Sequence, residues 1–282
     1  MNIAIIGSNG QLGSDIYKAY YSIDSNIVLS FTHAHIEVTD LNNVREAFRS
    51  LQPDVIVNCA VVHTKESESD PGKSYLVNAI GARNVATVAK EHNALLQHIS
   101  TELVFSGDST VPYTEFCVES PRTVYGSTKL AGEHFVRNSE ARHQIFRTTA
   151  LFGHNPTRGK PGGLNFVDLM LDTAKSKGVV RLVTDEFTAP TSTASLAKQL
   201  VVMSTERYEG VFHAVGDGGC SWYEFAKEIF AQAGIKVRME VLHKNGELAR
   251  SKYLIMDNCR LKHLGLNVFK PWREELSTYL KG

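Results

Sequence analysis

Tyr125 and Lys129 stand four residues apart, in the sequence Y-x-x-x-K, where a helix predicted from Val124 to Ser139 begins. Side chains at this spacing share one face of a helix. A free phenol, with a pKa of about 10, is a poor acid at neutral pH, but a neighbouring ammonium stabilises the phenolate and lowers that pKa. The pair could therefore donate a proton to a carbonyl oxygen. By itself the spacing is a weak signal, because Tyr and Lys are common on helix surfaces.

Two hydroxyl side chains, Ser100 and Thr101, lie at the end of an apolar run that predicts a strand from Leu95 to Ser100. Either hydroxyl could bond a substrate oxygen at the end of this strand and orient it toward Tyr125. The alternative is that they cap the strand end by bonding nearby backbone groups. Both interpretations stay open on the sequence alone.

Gly7, Gly10 and Gly13 form a G-x-x-G-x-x-G sequence between the first predicted strand and a predicted helix that starts at Gln11. Glycines in this place permit a tight turn and let backbone N–H groups approach a pyrophosphate, while the helix N-terminus adds positive partial charge. The motif predicts a dinucleotide-binding loop. A glycine-rich turn without a ligand is the alternative.

The second predicted strand ends in Ser30-Phe31-Thr32-His33, without the carboxylate that usually bonds the ribose of NAD in such folds. A 2′-phosphate would therefore not be repelled, so NADPH is the favoured cofactor and NADH the alternative, although no Arg or Lys stands there to attract the phosphate. Asp40 suits the adenine side of the pocket, and it suits the N-cap of the helix predicted from Leu41 to Leu51 equally well.

The elements that must position these residues alternate along the first part of the chain. Strands are predicted at Asn2 to Ile6, Ile27 to Phe31, Val55 to Cys59, Leu95 to Ser100 and Gln144 to Thr148, and helices at Gln11 to Tyr20, Leu41 to Leu51, Gly81 to His92 and Val124 to Ser139. This alternation predicts an α/β fold, a Rossmann doubly wound parallel sheet. Residues 1–150, with parts of 185–215, are expected to form the NAD(P)-binding domain. Residues 151–282 are expected to form mainly a smaller substrate-binding lobe, which includes a mobile loop from Asn155 to Gly163.

The composition limits the kinds of partner. The 282 residues carry 30 Lys+Arg and 30 Asp+Glu, so no overall field would draw the protein onto nucleic acid or a membrane, and a small-molecule ligand is expected. The four cysteines contain no C-x-x-C pair and the histidines have no metal-binding spacing, so neither a disulfide framework nor a metal site is predicted. The N-terminus predicts a strand and not a signal peptide, so a cytoplasmic protein is expected. The oligomeric state stays open, with a homodimer as one expectation.

Taken together, these residues resemble the extended short-chain dehydrogenase/reductase superfamily, and within it the dTDP-4-dehydrorhamnose reductase family. Similar segments run over nearly the whole chain and include Pro53 to Asn58, Pro112 to Glu115, Tyr125 to Glu133, Asn165 to Val167, Ala189 to Thr191 and Ser221 to Ala226. The resemblance implies Thr101, Tyr125 and Lys129 as the catalytic residues. It implies cofactor contacts from Gly7, Gly10, Gln11, Leu12, Gly13, Asp40, Leu41, Ala60, Val61, Asn78 and Lys129.

The departures from the family pattern concentrate on the substrate side. After the catalytic Thr the family has Asp-Tyr where this chain has Glu102 and Leu103, and a family Trp is replaced by Ala150. A buried tryptophan contributes about 150 to 250 Å² of surface, so its loss is consistent with a different sugar. The residues expected to contact the substrate are Glu102, Asn165 and Arg250. For Arg250, whose fork suits a diphosphate, a surface ion pair is the alternative.

The main functional hypothesis is an NAD(P)H-dependent reductase of a nucleotide-activated keto sugar, as the resembled family implies, with Tyr125 as the proton donor. The altered substrate side leaves a second hypothesis open, namely a regulatory subunit that binds NAD(P) without catalysing a reaction. The regulatory subunit of methionine adenosyltransferase resembles the same reductases. A nucleotide-sugar epimerase is a third hypothesis, since such enzymes use the same Tyr and Lys but retain their cofactor.

Overall fold

The computed structural model of the chain describes residues 1–242 and 252–282. Its strands are β1 (Asn2–Ile6), β2 (Ile27–Phe31), β3 (Val55–Asn58), β4 (Leu95–Thr101), β5 (His143–Thr148), β6 (Leu151–Phe152), β7 (Val179–Leu182), β8 (Phe187–Thr188), β9 (Thr191–Ser192), β10 (Gly210–His213), β11 (Cys220–Ser221) and β12 (Arg238–Val241). Its α-helices are α1 (Gln11–Tyr21), α2 (Leu41–Phe48), α3 (Thr64–Ser69), α4 (Pro71–Tyr75), α5 (Ala82–Glu91), α6 (Val124–Arg137), α7 (Phe166–Lys177), α8 (Thr193–Ser204), α9 (Trp222–Gln232), α10 (Cys259–His263) and α11 (Trp272–Lys281).

The described residues fold around a central sheet of six strands, in the order β10-β5-β4-β3-β1-β2. Every strand pair within it is parallel. The predicted α/β class and the parallel doubly wound sheet are therefore confirmed. The order reverses direction between β1 and β3, and in such sheets the carboxyl ends of the strands leave a ligand-binding crevice at this point.

The strands of the central sheet are apolar because helices cover both faces. Ile3 and Ile5 of β1 pack with α1 and α8, whereas Ala4 and Ile6 pack with α2 and α5 on the opposite face. Successive side chains of a strand point to opposite faces, so a strand between two helical layers consists mostly of apolar residues, as in β1, although β4 and β5 also bury polar side chains such as His98 and Arg147. This requirement made the strands visible in the sequence.

The four predicted helices are present, with ends that differ from the predicted bounds by one to three residues, and two of these differences have a local cause. α2 ends at Phe48 and not at Leu51, whose N–H donates to Phe48 O (2.9 Å) as the chain turns toward Pro53. A proline disfavours the helical conformation in the residue before it, which limits the helix. α5 begins one residue later than predicted, because Leu76–Gly81 form a π-helical turn.

The second half of the chain builds an apolar cluster of its own. α7, α9 and α11 meet around Phe152, Phe225 and Trp272. The paired strands β6 with β9, β7 with β12 and β8 with β11 accompany these helices. β10, however, pairs with β5 at the edge of the central sheet, and α8 packs beside α1. This half of the chain thus contributes both to its own apolar cluster and to the central sheet with its helices.

Over residues 1–242 and 252–282, no helix has the length and apolar character that crossing a membrane requires.

Candidate active site

The glycine loop forms a tight turn between β1 and α1. Gly7 adopts a left-handed conformation (φ 77°), and its N–H donates to Phe31 O (2.8 Å) at the end of β2. A Cβ on Gly13 would overlap Gly7 O, whereas a Cβ on Gly10 would make an ordinary contact of 3.4 Å with the same atom. Side chains are therefore excluded at Gly7 and Gly13, and the N-terminus of α1 faces the crevice, as in loops that bind phosphate.

Two adjoining cavities meet over the glycine loop. The first, here called the distal cavity, runs past the segment after β2. The second, here called the catalytic cavity, runs past the ends of β4 and β5 to α6. The described residues that line both are Gly7, Gly10, Cys59, Ala60, Val61, His63 and Arg158. A long ligand could lie across the loop with one end in each cavity.

The three residues implied as catalytic line the catalytic cavity together. Thr101 is the last residue of β4, and Tyr125 and Lys129 lie one turn apart on α6. Gly126 allows this arrangement, because a Cβ there would overlap Leu103 O just after β4. The first turn of α6 can therefore pack directly on the end of the strand that carries Thr101.

Tyr125 keeps its proton in this environment. Removal from water raises its pKa, and the neighbouring Glu102 carboxylate raises it further, while a hydrogen bond with Thr101 opposes both effects. Glu102 also lines the catalytic cavity, and its Oε2 accepts a hydrogen bond from Thr101 Oγ1 (2.7 Å). Burial raises the pKa of the Glu102 carboxyl as well. The site thus presents a protonated phenol.

Lys129 is buried, and this burial lowers its pKa to about 8, although the charge of Glu133 acts in the opposite direction. Ser100 also lines the catalytic cavity, but its Oγ donates to Glu133 Oε1 (2.5 Å). Both hydroxyls at the end of β4 thus donate to a carboxylate, and of the two it is Thr101 that also bonds with Tyr125.

The other cofactor residues implied by the resemblance divide into two groups. Gln11, Leu12 and Gly13 line the catalytic cavity. Asp40 caps α2 by accepting hydrogen bonds from Asn42 N (2.8 Å) and Asn43 N (3.3 Å). Neither Asp40 nor its neighbour Leu41 is among the described residues that line the two cavities.

Asn78 links the segment after β3 to α6 through hydrogen bonds of its side-chain amide. Its Oδ1 accepts from Val62 N (2.8 Å), and its Nδ2 donates to Thr128 Oγ1 (3.0 Å). It therefore fixes the segment after β3 against α6 and is not among the described cavity-lining residues.

The residues expected to contact a substrate are distributed differently. Glu102 lies in the catalytic cavity, as described above. Asn165 is a buried N-cap of α7, where its Nδ2 donates to Gly153 O (3.0 Å) and its Oδ1 accepts from Asp168 N (3.1 Å). Arg250 lies outside the described residues.

A carboxylate does reach the distal cavity, at Glu37. Its Oε1 accepts from Thr39 N (3.0 Å) and Thr39 Oγ1 (2.8 Å), and the backbone bond does most to lower its pKa. The sequence argument looked for an acid directly at the end of β2. It missed Glu37, because an irregular turn and not the strand brings this residue back to the cavity.

The segment 154–163 lies over the junction of the two cavities. Arg158 lines both, and its Nε donates to Asn9 O (2.8 Å) in the glycine loop. Lys160 lines the catalytic cavity, and partial removal from water lowers its pKa. These two cations were not predicted as site residues. Their only sequence signal was a Gly- and Lys-rich loop.

Two aromatic rings form one wall of the catalytic cavity. The ring centroids of Phe166 and Trp222 are 4.6 Å apart, and both side chains are half-buried. Ala150, where the resemblance leads one to expect a tryptophan, lines the same cavity in a left-handed conformation (φ 44°). The cavity therefore has an aromatic wall of two tilted rings, supplied by α7 and α9.

A parallel sheet with a glycine turn at its reversal point, and a Tyr–Lys pair on the helix beside it, define a dinucleotide-binding oxidoreductase of the short-chain dehydrogenase/reductase class. The chain belongs to the family described as the RmlD substrate binding domain, whose model matches residues 1–282.

Individual relatives agree with this family. The chain is 35% identical to the dTDP-4-dehydrorhamnose reductase of Escherichia coli (strain K12) over 243 residues, which are 83% of this chain and 78% of that protein. It is 32% identical to the dTDP-4-keto-6-deoxy-D-glucose reductase of Streptomyces niveus over 281 residues, 97% of this chain and 94% of that protein. The solved structure of dTDP-4-dehydrorhamnose reductase from Bacillus anthracis str. Ames, in complex with NADP, is 31% identical, with a TM-score of 0.92 over 99% of this chain and 98% of that one.

Proposed function

We propose that this protein is an NADPH-dependent reductase that converts the ketone of a nucleotide-activated sugar into an alcohol, with dTDP-4-dehydrorhamnose as the favoured substrate. The observation that carries the proposal is that Thr101, Tyr125 and Lys129 line one cavity, which continues over the glycine loop. Two of the relatives compared above are named for that substrate, and the third for another dTDP-4-keto sugar.

The residues present fit a nicotinamide dinucleotide. A Cβ on Gly13 would overlap Gly7 O, and Gly7 itself has a left-handed conformation in tight contact with Cys59, so both positions stay without a side chain, as a pyrophosphate cradle requires. Gly7, Gly10, Gln11, Leu12 and Gly13 would hold the phosphates, Ala60 and Val61 would line the path to the catalytic cavity, and Lys129 would hold the nicotinamide ribose. When bound, the dinucleotide supplies the hydride for the carbonyl carbon.

Tyr125 supplies the proton in this reaction. Its raised pKa keeps the phenol protonated before the reaction, so the proton is in place, and a positive charge on Lys129 is then needed to offset the weaker acidity that the same shift causes. As negative charge develops on the carbonyl oxygen, the O–H bond of Tyr125 breaks and a new O–H bond forms on the product. Lys129 then stabilises the phenolate that remains, and Thr101 orients the substrate oxygen.

NADPH is the proposed cofactor because the Bacillus anthracis relative is in complex with NADP. NADH is the alternative, because Glu37 brings a carboxylate into the distal cavity, where it suits ribose hydroxyls better than a 2′-phosphate.

On the substrate side, Phe166 and Trp222 offer an aromatic wall, and Lys160 offers a cation for the diphosphate of a nucleotide-sugar. Glu102 would bond a sugar hydroxyl. We place the enzyme in the cytoplasm, since all four of its cysteines are free thiols, as is usual in a reducing compartment.

The test is to follow the loss of reduced-nicotinamide absorbance with dTDP-4-dehydrorhamnose and, separately, with dTDP-4-keto-6-deoxy-D-glucose. Wild type is compared with Tyr125→Phe and with Tyr21→Phe, which alters an exposed tyrosine far from the site. We expect turnover with the first substrate, a loss of at least about a hundredfold in Tyr125→Phe, and no change in Tyr21→Phe.

Other outcomes separate the remaining hypotheses. Turnover with the second substrate alone would correct the sugar and keep the reaction. Cofactor binding without turnover of any keto sugar would contradict the proposal and favour a regulatory subunit. Dinucleotide that copurifies and is regenerated in each cycle would favour an epimerase.

A further inference from the structure

A buried histidine lies directly behind the catalytic lysine. His98, on β4, has its Nε2 atom 3.4 Å from Lys129 Nζ and its Nδ1 atom 3.3 Å from Asn58 Nδ2 at the end of β3. All three side chains are buried, with 1 to 2% of their surface exposed. Water cannot easily reach these groups, so each donor and acceptor among the three side chains must find its hydrogen-bond partner within the group.

The orientation of Asn58 is fixed by the backbone. Ala60 N–H donates to Asn58 Oδ1 (3.1 Å), so the amide oxygen faces that N–H and the NH₂ group faces His98. An amide NH₂ can only donate, and His98 Nδ1 must therefore accept. A neutral imidazole carries one hydrogen, which leaves it on Nε2.

That hydrogen is directed at Lys129. An ammonium has three donors and no acceptor, so it cannot receive the Nε2–H of His98, whereas a neutral amine can receive it through its lone pair. We propose that His98 is a positioning residue that couples the charge of Lys129 to its own tautomer. The Nε2–H tautomer accompanies a neutral Lys129; protonation of Lys129 moves the imidazole hydrogen to Nδ1 and breaks the bond from Asn58.

The other titratable groups around Lys129 do not remove this coupling. Within the described residues these are Glu133 and Tyr125 on its own helix and, on the segment after β3, Cys59 and His63. Glu133 favours the ammonium, but it is shared with Ser100 and Arg147. Burial also lowers the pKa of His98, so the ring enters this network uncharged.

The catalytic meaning of the coupling rests on the proposed reductase function. Donation of the Tyr125 proton leaves a phenolate, and a neighbouring ammonium then gains most from its charge. A lysine that is easily neutral before the reaction, and that takes up a proton from solvent through the cavity it lines once Tyr125 has given its own to the product, would favour the phenolate only when it forms. His98 sets this balance without touching the substrate.

The first measurement needs neither cofactor nor substrate. Long-range ¹H–¹⁵N correlation spectra of the free protein at pH 9 report the tautomer of each histidine, with His98 assigned through His98→Gln. His143 and His213 are internal references for the opposite form, because each has Nδ1 against a backbone carbonyl: Ala141 O at 2.9 Å and Asp257 O at 3.1 Å. We expect Nε2–H for His98 and Nδ1–H for the references; Nδ1–H or an imidazolium at His98 would overturn the proposal.

The second measurement changes the partner of His98. Asn58→Asp keeps the acceptor for Ala60 N–H but places a carboxylate oxygen against His98 Nδ1, and Asn58→Ala removes the donor without adding a charge. In both variants the ¹³Cε resonance of Lys129, assigned through Lys129→Arg, should titrate at higher pH than in wild type, by about one unit or more in Asn58→Asp. In Asn58→Ala, His98 is free to adopt the Nδ1–H form, so an unchanged midpoint of the Lys129 titration would contradict the proposal.

A third readout joins the coupling to catalysis. If the protein is the proposed reductase, the pH profile of kcat should shift with the Lys129 midpoint in the Asn58 variants, while KM for the sugar stays nearly constant. A protein that reduces no keto sugar would fail the proposed function, but the tautomer and the lysine titration would still be readable.

Discussion

At the scale of single residues, burial and a neighbouring carboxylate together keep the proton on Tyr125, the proposed proton donor. Glu102 accepts from Thr101, and its charge helps to raise the pKa of Tyr125. Glu102 also lines the catalytic cavity, on the side where we propose that the sugar binds.

Replacing this carboxylate should shift the pH dependence of reduction. Reduction needs a protonated Tyr125, so the rate falls as pH rises through the pKa of that phenol. Glu102→Gln removes a charge that opposes phenolate, and we expect the alkaline fall in kcat to begin at lower pH. Glu46→Gln, an exposed change on α2, is the control. A profile that does not move would show that Glu102 has no influence on the phenol.

Glu37 should influence the choice between the two nicotinamide cofactors. Its carboxylate, held by Thr39, would repel a 2′-phosphate, so Glu37→Gln should lower KM for NADPH relative to NADH by a few-fold, equivalent to about 1 kcal/mol or less at this partly exposed position. Initial rates with both cofactors measure this ratio. An equal change for both would place the phosphate away from Glu37.

At the scale of elements, the turn between β1 and α1 depends on how closely its backbone is packed. Gly7 and Gly13 meet across the turn, and α1 lies near the β1 backbone as a result. The helix N-terminus is thereby brought to the crevice between β1 and β3, where a phosphate would gain from its dipole.

Two neighbouring glycines provide a matched test of this packing. Gly13→Ala places a Cβ against Gly7 O and should lower the free energy of unfolding by about 1 to 3 kcal/mol, with loss of cofactor binding. Gly10→Ala meets the same atom at 3.4 Å, from an ordinary backbone conformation (φ −81°), and should lower stability far less. Urea unfolding and NADPH fluorescence titration check the two; equal losses would contradict the packing argument.

The elements also show what a sequence can predict. β1 to β5 and the helices α1, α2, α5 and α6 were visible in outline, because burial between two layers imposes apolar runs and helical spacing on the residues themselves, whereas the short helices α3 and α4 were not predicted. Glu37, Arg158 and Lys160 were missed, because they reach the cavities on irregular segments that leave no periodic pattern. The role of His98 was missed for another reason: it depends on Asn58 and Lys129, which come from separate elements.

At the scale of the whole molecule, buried polar side chains join the two halves of the chain. His213 of β10 lies in the core, where its Nδ1 atom bonds the backbone of Tyr113 and Asp257. Burial, with the charge of Arg147 as a second cause, lowers the pKa of His213 to about 3. Folding therefore requires a neutral imidazole at this position.

Stability should consequently fall in mild acid. The unfolded chain protonates this histidine below about pH 6.5, whereas the folded chain does so only near pH 3. Between these values the unfolded state binds more protons, so stability decreases as pH falls, by about 2 kcal/mol at pH 5 from this group. Urea unfolding at pH 7 and pH 5 should show a smaller difference in His213→Gln than in wild type; an equal difference would assign the acid sensitivity elsewhere.

The position of β10 also bears on how the chain reaches its folded state. This strand closes the edge of the central sheet beside β5, yet more than 60 residues separate the two in sequence, from Thr148 to Gly210. Until these residues have been synthesised, the edge of β5 that later pairs with β10 has unpaired backbone N–H and C=O groups. An unpaired strand edge can pair with another chain. A fragment cut after residue 150 would keep that open edge permanently, so residues 1–150 are expected to aggregate when they are made alone.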